Sequence, residues 1–174
     1  MPVRFFGCLA LLLLMASPAA HAQFAVLPYA GYDFDGEAVL IGLGAEVALP
    51  LPAPVALSLR PSGEYLLPKD LDIGGRTFGQ NIAQVNVDVI ARLRAPGIQP
   101  YAGIGVGIRF IKLDTSDNDD VEGNLDIEET NVGANLLGGV VFGGIGPVQP
   151  FAQGRLTVGD GSALAVFGGL RVGL

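Results

Sequence analysis

Cysteine, histidine and tryptophan are nearly missing from this sequence, and their absence excludes several classes of function. The chain of 174 residues has one cysteine, one histidine and no tryptophan. The two single residues, Cys8 and His21, both lie within the first 22 residues. Residues 23–174 therefore cannot form a disulfide, a Cys/His zinc site, a histidine-based catalytic triad or a Cys/His haem site.

The first 22 residues have the pattern of a secretory signal peptide. Arg4 provides a positive charge, residues 9–15 form a short apolar run, and Ala20-His21-Ala22 resembles a cleavage site before Gln23. The run is far shorter than the ~18–20 apolar residues of a membrane-spanning helix. We therefore predict a signal peptide at 1–22 and one exported domain at 23–174.

Positive charge is also scarce, which bears on the partners that this chain can have. The sequence has ten basic and 17 acidic residues. The predicted signal takes one of the basic residues and none of the acidic ones, which leaves a net charge of −8. An acidic exported chain is not expected to bind nucleic acid.

The chain is also unusually apolar for one that lacks long hydrophobic runs after the signal. Half of its residues are hydrophobic, and its mean hydropathy is +0.49. Alternation of apolar and polar residues reconciles the two facts, and it predicts strands rather than helices. In one segment Val85, Val87 and Val89 share a face opposite Asn86 and Asp88. This pattern predicts eight strands, over 24–34, 38–49, 55–66, 81–94, 99–112, 130–142, 148–158 and 163–174.

The connections between these strands alternate in character. Three are short and rich in proline and glycine (PLPAP, APGI and GGIGP), whereas two of the others are long: PKDLDIGGRTFG and the acidic stretch 113–129. If each strand pairs with the next, all Pro/Gly turns lie at one end of the sheet and both long loops at the other.

A triplet of proline, an aromatic residue and alanine recurs at 28–30, 100–102 and 150–152. Proline lacks an N–H group and is tolerated at the first residue of a strand. The proline of each triplet lies within the first five residues of an odd-numbered predicted strand, so the repetition reflects similar positions. By parity, the aromatic residues face the polar side of the sheet and the alanines face the apolar side.

An eight-stranded meander with one apolar face can close with that face inside or outside. The central positions of the apolar faces carry no charge, as exposure to lipid requires. We therefore predict an all-β fold, an eight-stranded antiparallel up-and-down transmembrane β-barrel formed after signal cleavage. The predicted interior polar network is Glu46, Arg60, Glu64, Asp88, Arg92, Arg109, Arg155 and Arg171. We expect Glu46 to contact Arg60 and Asp88 to contact Arg109, with glycines opposite the arginines making room for them.

The signal, the strand motifs PYAG and GIGVGIRF, and the ending FGGLRVGL together resemble a known family. It is the family of small eight-stranded outer-membrane barrels of Gram-negative bacteria, of the OmpA/OmpX type. The resemblance covers residues 23–174 and implies a place in the outer membrane of the cell envelope. It also implies contacts with lipid and lipopolysaccharide, insertion by the outer-membrane assembly machinery, and a monomer. The family would imply an aromatic last residue, whereas this chain ends in Leu174.

These features predict a structural or surface-interaction role for a barrel with a largely filled interior, with no cofactor. We expect no enzyme, because Glu46, Glu64 and Asp88 lie among arginines and no histidine remains to assist them. Two alternatives stay open. A narrow, porin-like channel for small solutes needs a continuous polar lumen, and a soluble periplasmic barrel binding an apolar ligand needs the apolar face inside.

The acidic stretch also fits part of the template of a calcium-binding loop. Five residues with oxygen ligands fall at positions 1, 3, 5, 9 and 12 of that template: Asn118, Asp120, Glu122, Asp126 and Glu129. No helices are predicted to flank it, and position 1 is not aspartate. An acidic, solvated loop is the favoured interpretation and a calcium site is the alternative.

Overall fold

Eight strands close into one barrel in which every strand pairs with its neighbours in sequence. The computed structural model describes residues 24–49, 55–73, 76–115, 127–143, 147–160 and 162–174. The strands are β1 (Phe24–Asp33), β2 (Ala38–Ala48), β3 (Val55–Ile73), β4 (Arg76–Leu93), β5 (Ile98–Thr115), β6 (Ile127–Phe142), β7 (Val148–Gly159) and β8 (Ala163–Gly173). All neighbouring pairs are antiparallel, and the predicted up-and-down barrel is confirmed.

Pairing of β1 with β8 closes the ring. The register runs from Ala25 opposite Gly173 to Asp33 opposite Ala165. Beyond the strands, the Leu174 N–H donates to the Phe24 carbonyl at 2.9 Å. A backbone N–H or C=O group in hydrocarbon needs a partner from the protein, and closure removes the two edges at which such groups would be free. No helix in the described part of the chain is long and apolar enough to cross a membrane.

Alternate residues of each strand face the interior and the exterior. In β4, Val87 is 43% exposed whereas Asp88 is 2% exposed. Tyr29, Tyr101 and Phe151 lie inside, as their parity predicts, and the alanine after each of them lies outside. Between the rims, the described exterior positions carry aliphatic, aromatic and small residues but no charge. The alternative of a soluble barrel with its apolar face inside is therefore wrong.

The hairpin of β3 and β4 is longer than its sequence pattern predicts. Residues 67–80 were expected to form a loop, but the strands remain paired as far as Ile73 opposite Arg76. Only Gly74 and Gly75 separate these two residues, and Gly-Gly is a dipeptide favoured in two-residue hairpin connections. The expectation was wrong because the alternation of apolar and polar residues fades in 67–80, whereas the backbone pairing of the two strands does not require it. The register shifts between Leu66 and Lys69, next to Pro68.

The acidic connection is shorter than expected for the same reason. β5 extends to Thr115 and β6 starts at Ile127, and the two strands pair as far as Leu113 opposite Ile127. β5 therefore extends three residues beyond its predicted end at 112, and β6 begins three residues before its predicted start at 130. Residues 116–126 and the predicted signal peptide lie outside the described residues, so cleavage before Gln23 stays a prediction.

The facing of β4 gives a direct test of which side meets lipid. We expect Val87→Arg, near the middle of the strand, to lower the free energy of unfolding by ~2–4 kcal/mol in phospholipid vesicles. Leu93→Arg, on the same face at the end of the strand, should cost only ~0–1 kcal/mol because the cation reaches the membrane interface. Denaturant titrations of the refolded proteins measure both values. No loss at Val87 would contradict the exposure of this face to lipid, and equal losses at the two positions would contradict the central depth of Val87.

Candidate functional site: the charged interior of the barrel

Glycines inside the barrel make room for aromatic rings on the neighbouring strands. Tyr29 of β1 lies directly opposite Gly42 of β2 and Gly169 of β8, and Tyr101 of β5 lies opposite Gly139 of β6. A Cβ atom at Gly42 would overlap the Tyr29 ring. The interior arginines, by contrast, pair with residues other than glycine, as Arg109 does with Gln84. The expectation that glycines accommodate the arginines is wrong, because the rigid rings are what require the space.

Near the loop end of the barrel, an ion pair crosses the whole interior. Arg109 of β5 donates from Nη2 to Oδ2 of Asp33 in β1 at 2.7 Å. In a ring of eight strands, β1 and β5 lie opposite each other. Arg109 also donates from Nε to Oε1 of Gln84 at 3.0 Å.

The expected contact of Asp88 with Arg109 is wrong. The sequence pattern places Asn86 opposite Arg109, but the observed register sets Gln84 there, a shift of two residues. Asp88 therefore lies opposite Gly105, four residues from Arg109 along β5. Asp88 instead accepts a hydrogen bond from Asn135 Nδ2 at 3.0 Å. A shift of two residues preserves which face each side chain occupies, so the alternation pattern alone could not reveal it.

A second ion pair crosses the interior between β7 and β3, which are also opposite strands. Arg155 donates from both terminal nitrogens to the two carboxylate oxygens of Glu64, with a 2.6 Å distance from Nη1 to Oε1. The Tyr29 hydroxyl donates to the same Oε1 at 2.8 Å. The Arg155 guanidinium also lies 5.4 Å from the centre of the Phe167 ring. A bidentate arginine–carboxylate pair of this kind combines strong hydrogen bonds with a defined geometry.

Near the turn end, one carboxylate gathers three arginines. Glu46 of β2 is fully buried, and its oxygens lie 2.7 Å from Arg60, 3.1 Å from Arg92 and 3.2 Å from Arg171. The expected contact of Glu46 with Arg60 is thus present. It lies at a break in the ladder between β2 and β3, where Pro61 has no N–H to donate.

Uncharged polar side chains complete the interior, and the sequence analysis did not single them out. Gln84, Asn86, Asn135, Gln153 and Thr157 are all buried. Asn135 donates to Asn86 at 3.0 Å and accepts from the Thr157 hydroxyl at 2.9 Å, while Gln153 accepts from both Arg60 and Tyr101 at 2.8 Å. Their position on the polar faces of predicted strands was the available signal. An uncharged amide on such a face can also be a solvated surface residue, so the signal is weak.

The structure therefore divides the eight predicted interior residues into clusters around different carboxylates. Arg109 pairs with Asp33, a residue that the predicted network omitted, and Arg155 pairs with Glu64. The cluster around Glu46 takes the remaining three arginines. Of the calcium candidates, Asn118, Asp120, Glu122 and Asp126 lie outside the described residues, and Glu129 is exposed. Among the residues that are described, no group of three or more His, Cys, Asp or Glu could hold a metal ion, so a calcium site stays a prediction.

Comparison with known proteins finds relatives by structure and not by sequence. No protein-family profile matches the chain, and no curated protein matches it. The N-terminal β-barrel domain of Pseudomonas aeruginosa OprF is similar with a TM-score of 0.61 and 17% identity, over 88% of this chain and 98% of that one. Ail, the attachment invasion locus protein of Yersinia pestis, matches with a TM-score of 0.59 and 10% identity, over 87% and 95%. Neisserial surface protein A matches with a TM-score of 0.51 and 14% identity, over 87% and 94%.

The chain has the fold of the small eight-stranded outer-membrane barrels. The sequence resemblance to that group is thereby confirmed at the level of architecture. Identities of 10–17% establish the fold alone, and one fold supports many functions. The role of this barrel has to be argued from its own interior and its own loops.

Because the Tyr29 ring packs against Gly42, an added methyl group should destabilise the barrel at Gly42 but not at a glycine with open space around it. We expect Gly42→Ala to lower the free energy of unfolding by ~1–3 kcal/mol, because the rigid ring has to move. Gly63→Ala is the matched control, since a Cβ there meets nothing within 4 Å. It should leave stability unchanged or raise it slightly. Denaturant unfolding in vesicles measures both variants, and equal effects would contradict the proposed packing.

The Arg155–Glu64 pair predicts a strong coupling between two distant positions in the sequence. Arg155→Met alone should cost ~3–5 kcal/mol, because it leaves a buried carboxylate without its cation. Adding Glu64→Gln should recover most of that loss, since the oxygen of a neutral amide can still accept the hydrogen bond from the Tyr29 hydroxyl. The unfolding free energies of the two single variants and the double variant form a mutant cycle. Additive losses would show that the two side chains do not act as a pair.

Proposed function

We propose that this protein is an integral, monomeric outer-membrane barrel that acts as a closed scaffold and presents acidic loops at the cell surface. The main support for this proposal is that two ion pairs cross the interior, one between Arg109 and Asp33 and one between Arg155 and Glu64. They join β5 to β1 and β7 to β3, so their directions lie a quarter turn apart around the ring. An eight-stranded barrel is just wide enough for its side chains to fill.

The space left beside the Arg109–Asp33 pair also favours a plug over a channel. A cavity of only about 10 Å³ lies beside Gln84, Gly107 and Arg109. That volume is close to the smallest that holds one water molecule. A steady ion current needs a continuous hydrated path, which charged side chains hydrogen-bonded across the lumen interrupt.

The state of the interior carboxylates supports a role without catalysis. Glu46 and Glu64 have fully buried side chains and accept hydrogen bonds from arginines. Asp88 is 2% exposed and accepts from Asn135. A general base has to come within hydrogen-bonding distance of a substrate, and enclosure inside the barrel prevents this.

The composition of the loops supports interaction with cationic rather than anionic partners. The connections 34–37, 116–126 and 160–162 contain eight acidic residues and no basic residue: Asp35, Glu37, Asp117, Asp119, Asp120, Glu122, Asp126 and Asp160. Ail has been solved in complex with the heparin analogue sucrose octasulfate. A polyanion of that kind would be repelled by this loop end. Basic protein surfaces, and divalent cations that bridge to lipopolysaccharide, fit it better.

Membrane location can be tested by fractionation. If the protein is a folded outer-membrane barrel, it should be extracted from the envelope by detergent and not by high salt. Its mobility in a denaturing gel should change on boiling, because closed barrels resist unfolding by detergent at room temperature. Release by an osmotic shock that empties the periplasm would contradict the proposal.

Conductance distinguishes the plug from the channel. We expect the unmodified protein to give no steady current in a planar lipid bilayer. Replacing both crossing pairs by serine (Asp33→Ser, Arg109→Ser, Glu64→Ser and Arg155→Ser) keeps the interior charge balanced but removes the obstruction, so a current should appear. Asp35→Ser combined with Arg94→Ser is the control, because both residues are exposed. A stable, ion-selective current from the unmodified protein would establish the channel alternative instead.

A further inference from the structure

The turn end of the barrel interior opens into a cavity whose polar walls are all hydrogen-bond donors or amides. The cavity has a volume of about 460 Å³. Its polar lining residues are Arg92, Arg94, Arg171, Gln99 and Gln149, and no lining residue is acidic. We call this set of five residues the arginine mouth. Arg94 is exposed at the rim, whereas Arg92 and Arg171 are each 8% exposed.

The arginine mouth has an excess of positive charge that the protein does not balance. Behind Arg92 and Arg171 lies Glu46, a carboxylate that does not line the cavity and that contacts Arg60, Arg92 and Arg171. Asp88, which lies opposite Arg60 in the ladder of β3 and β4, supplies a second negative charge. The three arginines around Glu46 therefore leave one positive charge, and Arg94 adds another at the rim. The other two interior arginines, Arg109 and Arg155, each have a carboxylate of their own. Buried cations in excess are costly unless an anion compensates them.

Two buried donors around Glu46 lack a partner among the described residues, Nε of Arg60 and Nη1 of Arg92, and only the second belongs to a residue that lines the cavity. Arg92 uses Nη2 to contact Glu46 at 3.1 Å, but its Nη1 has no hydrogen-bond partner among the described residues. Buried polar groups without a partner are rare in folded proteins and cost free energy. Arg171, next to it in the mouth, donates to Gln149 at 3.0 Å.

Apart from Glu46, neither the described residues at this end nor the turns between them offer an acidic side chain that could serve as the missing partner. The three turns here, residues 49–54, 94–97 and 143–147, contain no aspartate or glutamate. The terminal residue Leu174 is 81% exposed, and by its parity with Leu170 and Val172 it belongs to the outer face. All acidic loops lie at the opposite end of the barrel. Among the described residues and these three turns, no further carboxylate side chain is placed to complete the cluster, which favours an anion that binds from solution or from the membrane.

We propose that the arginine mouth binds a phosphoryl group, carried either by a soluble phosphorylated molecule or by a lipid headgroup. Guanidinium groups match the oxygens of phosphate in bidentate geometry and keep their charge when buried. Two negative charges on the ligand equal the excess that Arg60, Arg92, Arg94 and Arg171 together leave over Glu46 and Asp88. The cavity lies within the range of ~300–1,000 Å³ typical of small-molecule sites, so it has room for more than the phosphoryl group alone. The site adds a ligand to the barrel and does not depend on whether the barrel conducts.

The test uses the full folded chain in a phosphate-free maltoside detergent, with ¹⁵N-labelled arginine followed by NMR. Inorganic phosphate and, separately, a short-chain phosphatidic acid are titrated at constant ionic strength, with chloride as the reference anion. We expect saturable shifts of the Nε–H signals of Arg92, Arg94 and Arg171. Arg94→Gln should weaken binding at least tenfold, and Arg92→Gln should abolish it. Arg109→Gln, at the other end of the interior, should bind as the unmodified protein does.

Each outcome decides the matter. Saturation by inorganic phosphate alone or by phosphatidic acid alone supports the site and identifies the source of the phosphoryl group. Absence of saturation with either probe, equal shifts with chloride, or unchanged binding after Arg94→Gln overturns the proposal. Because Arg94 is exposed, its variant tests the site even if Arg92→Gln fails to fold, and gel mobility before boiling verifies folding in each case. A conducting barrel that still binds phosphate would refute the closed scaffold and leave this site intact.

Discussion

The structure depends on one constraint, namely that no strand may leave its backbone polar groups unpaired in hydrocarbon. Eight strands satisfy this only when β8 returns to pair with β1. Closure at eight strands then limits the width of the interior to about that of the side chains it contains. Each inward position must therefore fit its neighbours across the strand ladder and across the lumen. Gly42, opposite Tyr29, provides the fit across the strand ladder, and Glu64, which pairs with Arg155, provides the fit across the lumen.

Charged side chains inside the barrel determine which face of each strand points inward, as much as they stabilise the fold. A buried ion pair often contributes little net free energy compared with packed apolar side chains. An apolar interior would, however, make both faces of each strand alike, and a slip of one residue would then exchange them at little cost. Arg155 and Glu64, or Arg109 and Asp33, make such a slip expensive because it would carry charge into lipid. The interior ion pairs can therefore fix the register of the strands. The apolar side chains that face lipid contribute less to the register, because they resemble one another.

The sequence allowed the strands, their facing and the order of turns and loops to be predicted, because each depends on local alternation and turn composition. It did not allow the partners across the lumen to be predicted. Arg109 was matched with Asp88 on the adjacent strand, whereas its partner Asp33 lies four strands away. Such partners depend on the stagger of all the strands between them, which no single hairpin pattern contains. Uncharged residues such as Asn135 were missed because an amide is equally compatible with a solvated face, and only closure of the ring buries it.

Charge is also distributed unevenly along the barrel axis, and the two ends follow different physical rules. Acidic side chains in the loops lie in water, where solvent and salt reduce their mutual repulsion. The arginines around Glu46 lie in a narrow lumen where such screening is weak, so their excess charge acts on the stability of the fold itself. An anion that binds only the folded barrel shifts the folding equilibrium by RT ln(1 + [L]/Kd). In a compartment rich in phosphorylated molecules, a cluster that is unfavourable in isolation becomes neutral or stabilising. The excess of positive charge at the turn end is thus compatible with a stable barrel when an anion from the surrounding medium binds there.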